Sequence, residues 1–256
     1  MNAKQLFDLT GRVAIVSGGS IGLGRQMAEG LAEMGANLVL CARKQERCEE
    51  AADELRSLGV QTLALACDVQ NKPAIQAVVD ATLASFGRID ILVNNAGVSW
   101  GAPIETMTLE QWNRVLSTNL TGTFLFCQAA GKAMIAQRSG KIINIASVAG
   151  LGGSSAEVQA IGYHASKGGV IAFTKDLACK WAPHNVQVNA IAPGWFPTHM
   201  SERVIEQHKE SFLTKIPLNR FGGDHDLKGA AVFLASEASA YVTGHVLAVD
   251  GGQSAW

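Results

Sequence analysis

The sequence lacks several features that would place it in a large class of proteins. No stretch of about 18 uncharged apolar residues occurs, so we expect no membrane-spanning helix. Lysine plus arginine number 21 and aspartate plus glutamate 22, which gives a formal net charge of −1 without a basic patch. These observations argue against a membrane partner and against a nucleic-acid partner.

Cysteine and histidine show no disulfide or ligand pattern. The five cysteines have no C-x-x-C spacing, and their odd number suits free thiols in a reducing compartment. The six histidines show no recognisable ligand spacing, so no metal site is expected. Residues 1–8 lack the basic-then-apolar pattern of a signal peptide, and a cytoplasmic location is therefore expected.

Apolar strand patterns alternate with helical patterns along the whole chain. Hydrophobic residues make up 48% of the 256 residues, enough for a large core, and no linker-like stretch divides them. The predicted strands cover residues 12–17, 37–41, 61–66, 90–93, 141–146, 186–191 and 246–249. The alternation predicts an α/β fold with one domain, residues 1–256, in which a doubly wound parallel sheet of about seven strands carries helices on both faces.

A glycine-rich turn follows the first predicted strand, with Gly18, Gly22 and Gly24 in a G-x-x-x-G-x-G arrangement. Glycine permits a tight turn and a close backbone approach, and the helix that follows presents free N–H groups to an anion. The context predicts a phosphate-binding turn for a dinucleotide. An ordinary strand-to-helix loop is the alternative.

The second predicted strand is followed by Arg43 and Lys44 rather than by an acid. In dinucleotide folds an acid about 20 residues beyond the glycines holds the ribose hydroxyls of NAD, whereas a guanidinium suits the 2′-phosphate of NADP. Arg43 therefore favours NADP(H) over NAD(H). Alternatively, both cations simply begin a solvated helix over residues 45–58.

Polar residues occur at two further strand ends and inside one helix. Asp68 is expected either to contact an adenine or to cap the helix over residues 71–86. Residues 94–97 (Asn-Asn-Ala-Gly) follow the fourth strand, where open α/β sheets bind ligands, although turn formation alone would explain them. Asn119 lies within a long helical pattern that begins at Thr108. Asparagine is unfavourable there, so it either orients a group such as a water or is exposed.

Tyr163 and Lys167 lie four residues apart on a predicted helix, residues 163–182, and so share one face. A nearby ammonium favours the phenolate. We therefore expect Lys167 to lower the pKa of Tyr163 toward working pH and make it a general acid/base. Ser147 ends the fifth strand and offers a second hydroxyl to a carbonyl oxygen. Taken alone, Tyr-x-x-x-Lys is also a common helix-surface pair.

Residues 195–216, after the sixth strand, are less regular and carry aromatic and charged side chains. Such a segment predicts a substrate lid, with a surface excursion as the alternative. Four side chains are expected to form an apolar wall beside the substrate. Aromatic residues in loops, however, pack against the protein as often as they contact a substrate. The four side chains are Trp100, Trp195, Phe196 and Met200.

Together these motifs resemble the short-chain dehydrogenase/reductases over residues 9–252. Within that family the chain looks most like the group of 3-oxoacyl-carrier-protein reductases, gluconate 5-dehydrogenases and rhamnolipid-type β-ketoacyl reductases. The matching motifs are residues 17–24, residues 94–97, Asn119, Ser147, residues 163–167, and Pro193 and Gly194 with Thr198.

The resemblance implies that Tyr163 exchanges a proton with the carbonyl or carbinol oxygen, which Ser147 binds. Lys167 would bind the nicotinamide ribose, and Asn119 would support a water in a proton relay. Implied cofactor contacts are Gly18, Ser20, Ile21, Gly22, Gly24, Arg43, Asp68, Val69, Asn95, Ala96, Gly97, Tyr163, Lys167, Pro193, Gly194, Phe196 and Thr198. Expected substrate contacts are Ser147, Trp100, Tyr163 and Trp195.

The expected activity is an NADP(H)-dependent hydride transfer between nicotinamide and a ketone or secondary alcohol, with a 3-oxoacyl or small carbonyl substrate. An NAD-linked sugar or polyol dehydrogenase of the gluconate type is the alternative, and a non-catalytic nucleotide-sensing protein a more distant one. Ile21 departs from the basic residue that many NADP-preferring relatives carry, and Ser147 and Tyr163 lie further apart than is usual. The family is mostly tetrameric, so a homotetramer is expected.

Overall fold

The computed structural model describes residues 1–256 and contains one seven-stranded sheet. The strands are β1 (Val13–Ser17), β2 (Asn37–Ala42), β3 (Thr62–Ala66), β4 (Ile91–Asn94), β5 (Gly140–Ile145), β6 (Val186–Pro193) and β7 (Val246–Val249). Their order is β3-β2-β1-β4-β5-β6-β7, and every neighbouring pair is parallel. The predicted doubly wound parallel sheet is confirmed.

Helices cover both faces of this sheet. They are α1 (Ala3–Leu6), α2 (Gly22–Glu33), α3 (Gln45–Arg56), α4 (Lys72–Phe86), α5 (Leu109–Leu116), α6 (Gly122–Gln137), α7 (Ile161–Trp181), α8 (Glu202–Leu213) and α9 (Lys228–Ala235). Helices α2, α3 and α9 pack on one face, and α4, α6 and α7 on the other. None of the helices is both long and apolar enough to cross a bilayer.

Alternation of side chains along β1 shows why its sequence is apolar throughout. Ala14 and Val16 point into the core beneath α2 and α9, whereas Val13 and Ile15 point into the core beneath α4 and α6. All five residues of β1 are buried. A parallel sheet that is covered on both faces therefore produces continuous apolar runs rather than alternating ones.

The strand order reverses at β1, which pairs with β2 on one side and with β4 on the other. The connections that leave β1 and β4 therefore separate toward opposite faces. In open α/β sheets this divergence opens a crevice at the carboxyl ends of the strands, where ligands bind. The predicted glycine turn and the Asn-Asn-Ala-Gly turn both begin at this crevice.

The long helix predicted from Thr108 is interrupted. Helix α5 begins after a capping box formed by Thr108 and Gln111, and a wider π-helical turn, Ser117–Thr121, separates α5 from α6. Asn119 lies in this turn and is 1% exposed, so the prediction of an exposed asparagine is wrong. The apolar pattern runs through the turn, which is why the sequence reads as one helix.

The segment predicted to be irregular, residues 195–216, contains α8. Ile205 and Phe212 are its buried residues, and Trp195 stacks on Phe212 with ring centroids 4.2 Å apart and an interplanar angle of 14°. His208 interrupts the helix with φ −127° and ψ 20°. The segment is thus packed through aromatic contacts and is not an unstructured excursion.

Candidate active site

The glycine turn connects β1 to α2 and has the shape that an anion site requires. Gly18 and Gly22 have φ values of +65° and +56°, which favour glycine. A Cβ on Gly24 would lie 2.2 Å from the carbonyl oxygen of Gly18, so no larger residue fits. Ile21, the residue before α2, provides no side-chain cap. The first N–H groups of α2 are therefore free to bind a phosphate, and the turn fits the pyrophosphate of a dinucleotide.

The Asn-Asn-Ala-Gly turn is tied directly to the glycine turn. Asn95 Nδ2 donates to the carbonyl oxygens of Ser17 and Gly18 at 3.2 and 3.0 Å. Ser17 Oγ accepts the N–H groups of Asn95 and Ala96 at 3.1 and 3.2 Å. The Nδ2 group of Asn95 is thus used within the protein to join the two turns. Sequence reasoning assigned no role to Ser17, although a buried serine at the end of β1 is the signal for it.

Arg43 lies at the carboxyl end of β2, beside the glycine turn. The N–H of Gly18 donates to the carbonyl oxygen of Cys41 at 2.8 Å, which brings the two segments together. Arg43 is exposed and takes part in none of the chain's ion pairs. Lys44 precedes α3 as its N-cap residue. Ser20, also predicted to bind the cofactor, is half-buried in the turn.

Asp68 and Val69 follow β3. Asp68 Oδ1 accepts the N–H of Gln70 at 2.9 Å, while Asn71 caps α4 by accepting the N–H of Ala74 at 3.1 Å. The prediction that Asp68 caps this helix is therefore wrong, and its contact with an adenine stays a prediction. Val69 is 7% exposed and packs against α6.

Ser147 and Tyr163 bring two hydroxyl groups together at the carboxyl end of β5. Ser147 is 8% exposed, and its Oγ accepts the N–H of Ala149 at 3.2 Å. Burial raises the pKa of Tyr163 above its ordinary value, and a hydrogen bond with Ser147 lowers it in part. The pKa of Tyr163 therefore lies above its ordinary value, and the predicted lowering toward working pH is wrong. The desolvation of the phenol outweighs its neighbours.

Lys167 has a hydrogen bond to the backbone and also lies over the ring of Tyr163. Its Nζ donates to the carbonyl oxygen of Ile145 at 2.6 Å and lies 5.6 Å from the centroid of the Tyr163 ring. The side chain is 4% exposed, and burial lowers the pKa of Lys167 to about 8. A Cβ on Gly97 would lie 3.7 Å from this Nζ and 3.3 Å from Asn119 Oδ1. Gly97, Asn119 and Lys167 therefore meet at one place.

Asn119 is fixed by three hydrogen bonds. Its Oδ1 accepts the N–H of Val98 at 2.8 Å, and its Nδ2 donates to the carbonyl oxygen of Val98 at 2.9 Å and to Ser166 Oγ at 3.0 Å. The π-helical turn carries this side chain into the protein, toward the loop after β4. The structure thus places all four predicted catalytic residues around the ends of β4 and β5.

The segment after β6 reaches the glycine turn. A Cβ on Gly194 would lie 2.8 Å from Asp250, so glycine is required where the two chain segments approach closely. A Cβ on Gly22 would lie 3.6 Å from the methyl group of Thr198, which places the start of residues 195–216 over the phosphate-binding turn. Pro193, the last residue of β6, is buried.

The predicted aromatic wall is not a single surface. Phe196 is 4% exposed and packs in the core. It lines, together with Trp195, a cavity of about 480 Å³ whose walls include neither Ser147 nor Tyr163. Met200 is exposed and does not line this cavity. Trp100 lies under the guanidinium of Arg114, 5.3 Å from its ring centroid. The structure therefore leaves the expected substrate contacts of both tryptophans as predictions.

Known proteins share both the sequence and the fold. Residues 18–254 match a family described as Enoyl-(Acyl carrier protein) reductase. The chain is 39% identical over 257 residues to a gluconate 5-dehydrogenase from Gluconobacter oxydans, covering 98% of each protein. It is also 39% identical over 245 residues to the 3-oxoacyl-[acyl-carrier-protein] reductase FabG of Aquifex aeolicus, covering 95% of this chain and 98% of that one.

A solved structure shows the same architecture with a cofactor. The gluconate 5-dehydrogenase from Burkholderia cenocepacia, in complex with NADP and tartrate, aligns with a TM-score of 0.95 and 36% identity over 100% of both chains. These matches extend over nearly the whole sequence and agree with the group that the motifs indicated. The chain belongs to the short-chain dehydrogenase/reductase family, whose members are oxidoreductases that act on alcohol or ketone groups with a nicotinamide cofactor.

Proposed function

We propose that this protein is an NADP(H)-dependent oxidoreductase that transfers a hydride between nicotinamide and a ketone or secondary alcohol, with 3-oxoacyl or small carbonyl compounds as substrates. One observation carries the proposal. Ser147, Asn119 and the pair of Tyr163 and Lys167 come from three separate elements of the chain, yet their polar groups lie around the ends of neighbouring strands. The fold alone does not require these four residues, because proteins with the same fold have different functions.

In the proposed reaction, the bound nicotinamide supplies or accepts the hydride. Ser147 binds the substrate oxygen through its hydroxyl, and Tyr163 gives that oxygen a proton during reduction. The raised pKa of Tyr163 keeps the phenol protonated at neutral pH, which suits a proton donor. In the oxidative direction the phenolate form of Tyr163 accepts the proton from the alcohol.

Lys167 contributes a positive charge below its pKa of about 8. That charge would bind the nicotinamide ribose and stabilise the phenolate once Tyr163 has given up its proton. Asn119 would support a water through which a proton returns to the site. Its amide is fixed beside Lys167, and Gly97 lies next to both side chains. Each role belongs to a side chain that the protein positions before substrate arrives.

The preference for NADP(H) rests on Arg43. An exposed guanidinium without an acidic partner, at the carboxyl end of β2, suits the 2′-phosphate and not a pair of ribose hydroxyls. The NADP complex of the Burkholderia cenocepacia relative agrees with this choice. We also propose that residues 195–216 close over the bound cofactor, since Thr198 already lies over Gly22.

The proposal is tested by replacing Tyr163 with phenylalanine. Tyr163→Phe removes only the reacting hydroxyl, so NADPH-dependent reduction of carbonyl compounds should fall by about a thousandfold or more while NADPH still binds. Tyr241→Phe is the matched control, because Tyr241 is fully exposed and should leave turnover unchanged. Substantial turnover by Tyr163→Phe would remove Tyr163 from its proposed role.

The cofactor is tested separately with Arg43→Ala. Loss of one charge-assisted contact should weaken NADPH binding by about tenfold and leave NADH binding unchanged. Lys44→Ala, at the next exposed cation, should change either affinity by less than about twofold. An unchanged ratio of NADPH to NADH affinity in Arg43→Ala would contradict the assignment.

An NAD-linked sugar or polyol dehydrogenase is the second candidate. The names of the relatives support it, since gluconate 5-dehydrogenases match as well as 3-oxoacyl reductases do. The absence of a basic residue at Ile21 also favours NAD. A substrate panel of polyols, sugar acids and 3-oxoacyl thioesters, assayed with both cofactors, separates the two candidates.

A further inference from the structure

Ser166 connects the proposed catalytic residues, yet the reaction described above gives it no role. We infer that Ser166 is a positioning residue whose hydroxyl fixes Asn119 relative to the helix that carries Tyr163 and Lys167. The inference concerns the same site and rests on the proposed function. Ser166 would touch neither substrate nor cofactor, and would act through Asn119.

The hydroxyl of Ser166 is both an acceptor and a donor. Asn119 Nδ2 donates to Ser166 Oγ at 3.0 Å, and this Oγ donates to the carbonyl oxygen of Tyr163 at 2.8 Å. Ser166 Oγ therefore links the Asn119 side chain on the π-helical turn to the backbone of the catalytic helix. Asn119 and Ser166 are 47 positions apart in the sequence. The next residue along the helix is Lys167, so the same turn of α7 carries all three groups.

Because the Ser166 hydroxyl is buried, water cannot take its place as the acceptor for Asn119. Ser166 is 0% exposed and Asn119 is 1% exposed. If the hydroxyl were removed, one N–H of Asn119 would lose its partner where water does not reach, and a buried donor without an acceptor is unfavourable. The amide would then turn or shift to find another acceptor. Its remaining bonds, to Val98, would move with it.

The π-helical turn explains why Asn119 needs this support. A π-helical turn is wider than an α-helical turn, is rare, and frequently occurs at functional sites. Asn119 must be held in that turn at one distance from Lys167, since a displacement of about 1 Å is enough to slow a proton transfer strongly. The Ser166 hydroxyl supplies a direct link between the turn and α7.

Thr174 offers a matched control on the same helix. It is also 0% exposed, its Oγ1 accepts from Asn144 Nδ2 at 2.9 Å, and it donates to the carbonyl oxygen of Val170 at 2.8 Å. The chemical arrangement repeats that of Ser166, but Asn144 belongs to β5 and has no part in the proposed reaction. A comparison of Ser166→Ala with Thr174→Val therefore separates positioning from ordinary buried hydrogen bonding.

The two variants should differ in kinetics. Ser166→Ala should lower kcat by about tenfold, with KM for carbonyl substrate and for NADPH within about twofold of wild type. The pH profile of kcat should also shift, because Lys167 would meet a displaced Asn119. Thr174→Val should lower the melting temperature and leave kcat and its pH profile unchanged.

A double-mutant cycle identifies the residue through which Ser166 acts. In an Asn119→Ala background, Ser166→Ala should cause no further loss of kcat. Equal effects of Ser166→Ala and Thr174→Val on kcat would overturn the inference, and so would additive losses in the double variant.

Amide hydrogen exchange tests the inference without relying on turnover. In Ser166→Ala, exchange should accelerate in residues 117–121 and 163–167, and Thr174→Val should leave both segments unchanged. Unchanged exchange in Ser166→Ala would overturn the inference even in an active enzyme. A wild-type protein that turned over no carbonyl compound would instead remove the proposed function, while the exchange result would still decide whether Ser166 fixes the turn.

Discussion

Lys141 is expected to destabilise the folded protein at neutral pH. It lies in β5, is 8% exposed, and its Nζ has no hydrogen-bond partner. Burial lowers the pKa of Lys141 to about 8, while nearby Glu237 raises it and Arg12 lowers it further. The lysine is thus a charged group inside the protein that its neighbours do not fully compensate.

The size and sign of the effect follow from this pKa. The ordinary value of 10.5 and the folded value of about 8 differ by 10.5 − 8 = 2.5. At about 1.36 kcal/mol for each unit, the cost of holding the charge is at most about 3 kcal/mol. Because the unfolded chain keeps its proton to higher pH, the cost is fully present below about pH 8. Stability then increases as the pH rises from about 8 toward 10.5.

Lys141→Met keeps an unbranched side chain and removes the charge. Unfolding by urea, followed by tryptophan fluorescence at fixed protein concentration, should give a free energy of unfolding that is higher than wild type by up to about 3 kcal/mol at pH 7. The difference should decrease as the pH approaches 10.5. Lys132→Met, at an exposed lysine of α6, should stay within about 0.5 kcal/mol of wild type at every pH.

A refuting result is equally definite. If Lys141→Met were less stable than wild type at pH 7, or if the difference between the two did not change from pH 7 to pH 10, the buried ammonium would be compensated and the reasoning from its burial would be wrong.

Two further predictions concern the candidate site. Gly24→Ala should weaken NADPH binding by more than about tenfold, because its Cβ would lie 2.2 Å from the Gly18 carbonyl oxygen. The control is Gly229→Ala, where an added Cβ meets no atom within 4 Å. Equal NADPH affinities of the two variants in a fluorescence titration would contradict the prediction. For ketone reduction, kcat/KM should be level below about pH 8 and fall above it, since the pKa of Lys167 is about 8 and its positive charge is lost as the pH rises. A profile that stays level to pH 10 would exclude Lys167 as the group that carries the charge.

The strands and the glycine turn could be predicted from the sequence because local composition determines them. Residues buried on both faces of a parallel sheet must be apolar, so the inner strands appear as runs with limits close to those observed. The edge strands β3 and β7 are only partly buried but keep an apolar composition. The turn at Gly18 was predictable for the same kind of reason, since positive φ and close contact with Gly24 exclude other residues. Both features leave a local signature in the sequence, although distant segments pack against them in the fold.

Other features depend on contacts between distant segments, and the sequence does not show them. The raised pKa of Tyr163 reflects how deeply α7 is packed, and the spacing to Lys167 gave the opposite direction. The burial of Phe196 in the core was equally hidden, because it lies in a loop without the periodic apolar pattern of a helix or strand. Ser166 gave only one signal, a hydroxyl on the turn between Tyr163 and Lys167, and its partner Asn119 lies 47 residues away.

The π-helical turn has a consequence for how this helix can carry an asparagine at all. A single residue added to a regular helix rotates everything after it by about 100°. The wider turn at Ser117–Thr121 accommodates such a residue, so that Phe126 and Met134 of α6 still reach the sheet while Asn119 contacts Val98 and Ser166. Deleting one residue from the turn would leave a regular α-helix. That helix could either pack the apolar residues of α6 against the sheet or place the Asn119 amide beside Lys167, but not both.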